Sequence, residues 1–429
     1  MSTSRSIILV AVLGVVLWPA ATARSADWWD ITPIDDEGWV TVTRTSLDVL
    51  SSGEPAISYI HNPGDWGGYD LKYAACEGDT WQTELLVEFI NWTTTSLGVL
   101  PSGHPIMSFV TIDGTLTCTW FDGLLWDTEA ACSVGNGGGH TSLVILPTGY
   151  PAISCCRMEQ PSLDGELVYA WRDGEGWHSE VVDGEGSVGL HASLAVLPSG
   201  EPVISYYDET NSALKLAWRE SGVWHIETAD DDGDVGTHTS LLILPSGGPA
   251  ISYRDESASA LKFAWQDDTG WHAVTVDDQP GAGQGTSLAM LRPDRPAIAH
   301  FDGDRLRFSW LDRGQWRNTT VETVGGPGGY PSLGVLPAGQ PIISYYFHET
   351  PERSRDSGLT CAVRRVVSGD SNCDSHVDFD DINAFVVALG GEEAYLTQYP
   401  ECHWLLADCD EDGDVDFDDI DPFVALLGE

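Results

Sequence analysis

The sequence predicts a mainly β chain, a seven-bladed β-propeller of four-stranded blades, followed by a small all-α module. Three observations carry this. The dipeptide Ser-Leu recurs at Ser46, Ser96, Ser142, Ser193, Ser240, Ser287 and Ser332, at intervals of 45 to 51 residues. Each copy breaks into four short runs of period-2 alternation, the pattern of half-buried strands. The seventh copy lacks its fourth run, and the beginning of the chain supplies a spare one.

Residues 1–23 read as an export signal. Arg5 precedes an apolar run from Ile7 to Trp18, and small residues end at Ala21-Thr22-Ala23. That run is too short for the ~30 Å hydrocarbon core of a bilayer. No later segment is long and apolar enough, so no membrane span is expected and the protein is expected to be secreted, extracellular or at the cell surface.

The propeller is expected over 24–367. It starts with the orphan run Trp29-Asp30-Ile31-Thr32-Pro33-Ile34-Asp35. Each unit then opens with a Ser-Leu-x-Val-Leu strand ended by a Pro-Ser-Gly type of turn, which those residues suit. A second strand begins at Pro55, Pro105, Pro151, Pro202, Pro249, Pro296 or Pro341, tolerated at a strand's first residue. The third alternates as Leu214-Leu216-Trp218 does, and the fourth opens with Trp81, Trp126, Trp177, Trp224, Trp271 or Trp316. Four strands per repeat of this length is the propeller signature. The Trp29 strand is expected to close the last blade against Leu359-Thr360-Cys361-Ala362-Val363, since a free edge would invite aggregation.

A first strand lining the channel puts the residue two before each serine at the channel mouth: Arg44, Thr94, His140, His191, His238, Gly285 and Tyr330. The loop after each second strand shares that face and adds Asp208-Glu209, Arg254-Asp255-Glu256, His300 with Asp302, and His348-Glu349. Two readings stand. A wet channel tolerates polar strand ends, and a repeat copies its own histidine. Alternatively His140, His191 and His238 hold a further metal or a ligand with carboxylates nearby, imidazole being a ligand for zinc, copper, iron or nickel.

Acidic residues outnumber basic ones 66 to 20, for a net charge of −46. Such a field disfavours nucleic acid and other polyanions as partners and favours cations or neutral ligands such as glycans and small molecules. Of the nine cysteines, Cys118 and Cys361 fall where other repeats carry Leu216 or Phe263 and read as small core residues. Cys155 and Cys156 should point to opposite faces of one strand. Pairing is not readable from sequence.

The remaining residues, 368–429, hold 18 acids and no Lys or Arg. Two stretches, 370–381 and 408–419, place oxygen ligands at loop positions 1, 3, 5 and 12, with a backbone carbonyl at 7, as a hard cation needs. One calcium ion is assigned to Asp370, Asn372, Asp374 and Asp381, a second to Asp408, Asp410, Asp412 and Asp419. His376 and Asp414 would offer carbonyls, and Asp378 and Asp416 would act through water. After each loop come Ile382, Phe385, Val386, Leu389 and Ile420, Phe423, Val424, Leu427, one apolar stripe per helix, able to pack together. Ser375 stands where glycine makes the sharp turn, so the first site is expected to be the weaker.

These paired loop–helix units resemble the type I dockerin module. The resemblance implies a cohesin-like or cell-surface partner and a place in polysaccharide breakdown. Phe379-Asp380 and Phe417-Asp418 depart from the small hydroxyl pair common at those recognition positions. The repeat P-x-I-S-Y-Y-D followed by L-K-x-A is similar to repeats of secreted bacterial propellers of unassigned function. Turns such as Asp173-Gly174-Glu175-Gly176-Trp177 look like shifted Asp-boxes of sialidases, without that family's arginine cluster. No catalytic residue stands out. The reading is a secreted calcium-binding protein with a propeller platform for a ligand or carbohydrate. A carbohydrate-active hydrolase or lyase is the first alternative, and a structural repeat protein the second.

Overall fold

A computed structural model describes residues 29–35, 44–62, 68–78, 80–91, 94–135, 137–158, 164–293, 295–312, 314–324, 329–337, 339–348, 357–364, 368–373, 377–399, 402, 404–410 and 414–427. The export signal, Glu349, Asp374, Ser375, His376 and Asp412 lie outside the described residues.

Seven four-stranded antiparallel sheets form the ring. Six are consecutive meanders. The seventh takes its inner strands Ser332–Val335, Pro341–His348 and Ser357–Arg364 from the end of the repeat region and its outer strand Trp29–Asp35 from the beginning. Trp29 pairs with Arg364 and Thr32 with Cys361, so the chain ends clasp within one blade. Trp29 is 3% exposed and meets Phe308 of blade six edge-on at 5.3 Å. The expected closure holds because the indole fills the same inter-blade space that the other strand-leading tryptophans fill.

The Ser-Leu repeat has a mechanical reason. In every blade the serine hydroxyl accepts from the leucine N–H of the next blade: Ser46 from Leu97, Ser96 from Leu143, Ser142 from Leu194, Ser193 from Leu241, Ser240 from Leu288, Ser287 from Leu333, and Ser332 from Leu47, all at 2.9–3.0 Å. Inner strands of neighbouring blades have no ladder between them, so these leucine amides need a side-chain acceptor. The seventh bond returns to blade one and closes the ring.

A second seam lies farther out. Asp183, near the end of a fourth strand, accepts from Tyr206 of the next blade at 2.6 Å and lies 3.6 Å from Lys215. Asp35 likewise takes Tyr59 and Lys72, each at 2.6 Å, and Asp230 takes Tyr253 and Lys262. Burial alone would raise the Asp230 carboxyl, and its bonds to Lys262 and Tyr253 outweigh that and hold it below its ordinary value. Asp277 meets His300 and Arg307, and Glu322 meets Tyr345. The Tyr, Lys and Asp of the repeat are therefore joints between blades.

The tail has its own apolar core around Phe385, Tyr395 and Phe423. Helices Ile382–Ala388 and Ile420–Leu426 each follow a 3-10 turn, and Phe385 stacks flat on Phe423 at 4.0 Å. A further helix, Glu392–Gln398, was not expected; its Tyr395 hydroxyl donates to the Ser371 carbonyl at 2.5 Å. The expected stripes are only half buried. Val386 and Val424 are 60% and 59% exposed, because the residue after each stacked phenylalanine is turned about 100° away on a two-turn helix. A disulfide joins Cys373 to Cys402. Among the described residues no helix is long and apolar enough to cross a membrane.

Candidate functional site

The channel mouth is built by a repeated bulge. The inner strands pair regularly up to the serine, then slip register before Ser142, Ser193, Ser240 and Ser287. At the slip His140, His191 and His238 adopt φ of +58°, +56° and +58°, and Gly285 takes +62° at the same place in blade six. A left-handed residue with a β-carbon is strained by about 1–2 kcal/mol. Bulges of this kind re-aim a side chain, and strain of this kind gathers at functional sites. Threonine hydroxyls hold the kinks: Thr239 donates to the His191 carbonyl at 2.8 Å and Thr286 to that of His238 at 2.6 Å.

The three imidazoles meet in a row. Ring centroids of His140 and His191, and of His191 and His238, are each 4.5 Å apart, and His238 continues to Tyr330 at 5.0 Å. Arg44 lies over Tyr330, 3.7 Å from the ring centroid, and donates through Nη2 to His191 Nδ1 at 3.2 Å. Since the guanidinium can only donate, His191 carries its own proton on Nε2. Burial, then the neighbouring positive charge, holds His140 and His191 well below the ordinary imidazole value and His238 down to about 3. Burial likewise lowers Arg44, and Tyr330 acts against that.

Beside His238 the mouth opens into a cavity of about 240 Å³ lined by His238, Arg254, Glu256, Gln284, Gly285, Gly329 and Tyr330. Arg254 is fixed by Glu256 at 2.8 Å and by the carbonyls of Gly281 and Ala282 at 2.8 and 2.9 Å. Glu256 also accepts from Thr237 at 2.8 Å. Gly285 makes room, since a β-carbon there would lie 2.8 Å from the Tyr330 backbone.

The residues expected at this site divide. His140, His191 and His238 come together, and Arg254 reaches the cavity. Asp208, Asp255, His300 and Asp302 go elsewhere. Asp208 binds Lys215 at 2.6 Å and caps Asn211; burial would raise its carboxyl, and those bonds outweigh it and lower it. Asp255 accepts from the Ala258 amide at 2.8 Å. Burial pushes His300 down to about 4, against the pull of Asp277, and its Nδ1 takes the Gly283 amide at 3.2 Å. Burial pushes Asp302 up, against the pull of Arg305 at 2.9 Å. All four are joints or turn caps. The Asp173 turn is likewise local, its carboxylate accepting from the Glu175 amide at 2.7 Å.

For three imidazoles to share a metal, one nitrogen of each must come within about 2.0–2.1 Å of a point. Here one Nδ1 is taken by a guanidinium, whose charge opposes a second cation. Among the described residues, one group of three His, Cys, Asp or Glu side chains brings its ligand atoms within 4.8 Å of one another: Asp408, Asp410 and Asp419 of the second tail loop. Its Asp419 carboxylate also accepts the amides of Cys409 and Asp416 at 2.6 and 2.8 Å. In the first loop Asp381 does the same for Asn372 and Asp378 at 2.8 and 2.9 Å, and the mirrored wiring makes the loops copies of one turn. Asp378 and Asp416 cap the 3-10 turns and Asp414 is exposed. Asp370 is buried in the first loop.

Gln284 belongs to the site although sequence reasoning did not select it, while Arg44, Tyr330 and Glu256, which the repeats place at the mouth, join the histidines there. The same walk along the repeats held the signal for Arg44 and Tyr330, which occupy the histidine position in blades one and seven. No protein-family model matches this chain, and no curated protein matches it. Among solved structures it is similar to an α-L-arabinofuranosidase from Fusarium graminearum, with 12% identity, a TM-score of 0.51, and coverage of 78% of this chain and 97% of that one. It is also similar to a protein of unknown function from Dyadobacter fermentans (13% identity, TM-score 0.49, 78% and 99% covered) and to an Aleuria aurantia lectin (14%, 0.49, 67% and 98%). At such identity the likeness is one of fold.

Proposed function

We propose that this is an exported protein whose propeller binds a neutral carbohydrate at the channel mouth, and whose tail is a calcium-dependent docking module. The observation that carries the first half is the cavity beside His238. It offers aromatic surface from Tyr330 and His238 and an arginine–carboxylate pair from Arg254 and Glu256, with Gln284 alongside. Aromatic carbon faces suit the C–H side of a sugar ring, and fixed donors and acceptors suit its hydroxyls. The net charge of −46 favours an uncharged ligand over a polyanion. The fold shared with an arabinofuranosidase agrees with a sugar as ligand. Binding is preferred to hydrolysis because, among the described residues, the lining holds one carboxylate, Glu256, already engaged, whereas two-carboxylate hydrolysis uses a pair.

The donor set of the tail fits calcium. Asp408, Asp410 and Asp419 gather oxygens with no Lys or Arg in the module, and Asp370, Asn372 and Asp381 repeat the pattern. A bound cation would neutralise these carboxylates and hold the turn from which each helix starts. Phe379 and Phe417, 74% and 76% exposed at matching places, together with Val386 and Val424, are the surface offered to a cohesin-like or cell-surface partner. The Cys373–Cys402 disulfide agrees with an oxidising compartment.

The test is a neutral-glycan array probed with the full mature chain, followed by calorimetry on the best glycan. Tyr330→Ala and Arg254→Ala should each weaken that binding at least tenfold, while Arg317→Ala, on an outer strand, should not. An array silent across neutral glycans, or binding indifferent to both substitutions, would overturn the assignment.

A further inference from the structure

The outer seam has seven junctions, and five carry an acid from one blade facing a tyrosine or histidine of the next. The acids are Asp35, Asp183, Asp230, Asp277 and Glu322. Each pairs in its own blade with the leucine that opens the third strand: Leu359, Leu167, Leu214, Leu261 and Leu306. Between blades one and two the corresponding residues are Val87, opposite Leu71, and Phe109, both in one apolar cluster.

Between blades two and three both positions are cysteine. Cys132 pairs with Leu116 at the acid's place, and Cys155 occupies the tyrosine's place, four residues after its proline. The third member has changed as well. Tyr206 and Tyr253 pair with Lys215 and Lys262, whereas Cys155 pairs with Val168, so no lysine is left over from the polar joint. Cys132 packs against the core cluster that contains Cys155, and a thiol–thiol hydrogen bond lowers Cys132 and raises Cys155 from the ordinary thiol value. Cys155 is fully buried and Cys132 partly exposed.

We infer that Cys132 and Cys155 are a modification site, a disulfide that staples blade two to blade three where the other joints are polar or apolar. The oxidant is an external disulfide, either that of a thiol–disulfide oxidoreductase or oxidised glutathione. The accessible Cys132 thiolate attacks one of its sulfurs, forming a mixed disulfide and expelling the first thiolate. Cys155 then gives up its proton and attacks Cys132 Sγ, expelling the second. Two protein thiols become one disulfide, and the external disulfide leaves as two thiols. Cys156, next in sequence, is excluded, because its sulfur lies on the other face of the strand, 3.7 Å from the Val188 carbonyl.

The experiment takes the full chain, equilibrated as a native protein with oxidised glutathione, then unfolded, alkylated with iodoacetamide, digested without reductant and read by mass spectrometry. The expected result is a linked pair of peptides carrying Cys132 and Cys155, both unlabelled, with Cys118 and Cys361 labelled. Dithiothreitol should return both labels, and Cys132→Ser should leave Cys155 labelled. Full labelling of Cys132 and Cys155 after oxidation, or linkage of either to another cysteine, would overturn the inference and make them small core residues.

Discussion

At φ near +57° a histidine is held against its own preference, and three blades accept that where blade six uses Gly285. A truncation that empties packed space usually costs about 2–5 kcal/mol. His191→Gly should stay within about 1 kcal/mol of the parent in urea unfolding, because relief of the left-handed strain offsets the lost ring contacts. A loss of 3 kcal/mol or more would mean that the imidazole row is a packing device. Protonation gives a second reading of the same cluster. His238 takes up a proton near pH 3 when folded and near 6.5 when unfolded. The unfolded state therefore binds more protons between those values, and stability is full above about pH 6.5 and declines as pH falls through that window. The charges of Arg44 and Arg254 act on the ring in the same direction as burial, His191 and Tyr330 lie against it, and Glu256 shares its cavity wall. The urea midpoint should drop from pH 7 to pH 5, and His238→Gln should shrink the drop. The serine ring is tested as simply: Ser240→Ala strands the Leu288 amide between two blades and should cost about 1–3 kcal/mol at unchanged urea slope.

Among elements, the strand Trp29–Asp35 matters out of proportion to its length. It is the outer edge of blade seven, it contributes Asp35 to the joint with Tyr59 and Lys72, and it buries Trp29 beside Phe308. A chain beginning at residue 36 should leave Ser357–Arg364 as an unpaired edge and elute from size exclusion as aggregate. Trp29→Ala keeps the strand and should cost about 3–5 kcal/mol while the protein stays monomeric. Monomeric behaviour of the shortened chain would show that the clasp is dispensable. The tail helices are the opposite kind of element. Each is seven residues long, below the length at which a helix stands alone, so each depends on its loop and on the Phe385–Phe423 stack.

For the whole molecule, the consequence is two bodies of unequal dependence. The propeller is cross-bonded all round by protein groups. The tail concentrates 18 acids and binds calcium in our proposal. Chelation should remove helical circular dichroism while the β signal and the main thermal transition persist, since binding energy there is folding energy. Asp408→Ala should remove one of two calcium ions in titration calorimetry. Helix content indifferent to calcium would end the docking-module reading.

Much of this architecture is legible in the chain by itself. Ser-Leu seven times, a proline-led strand, Leu-x-Φ-x-Trp and an orphan Trp29 strand prescribe blades, count and closure, because each is a local pattern repeated at fixed spacing. Loop spacing likewise prescribes the turns whose Asp381 and Asp419 hold their own amides. Which equal-looking polar residues share a point is set only when the ring folds. Asp208 and Asp255 stand in the same kind of loop as Glu256, yet the first two bind within their own blade and Glu256 turns to the cavity with Arg254. Arg44 and Tyr330, 286 positions apart in sequence, meet by a bridge across the ring's closure. Ring closure is a long-range event, and spacing along a chain carries no measure of the distance it brings to zero.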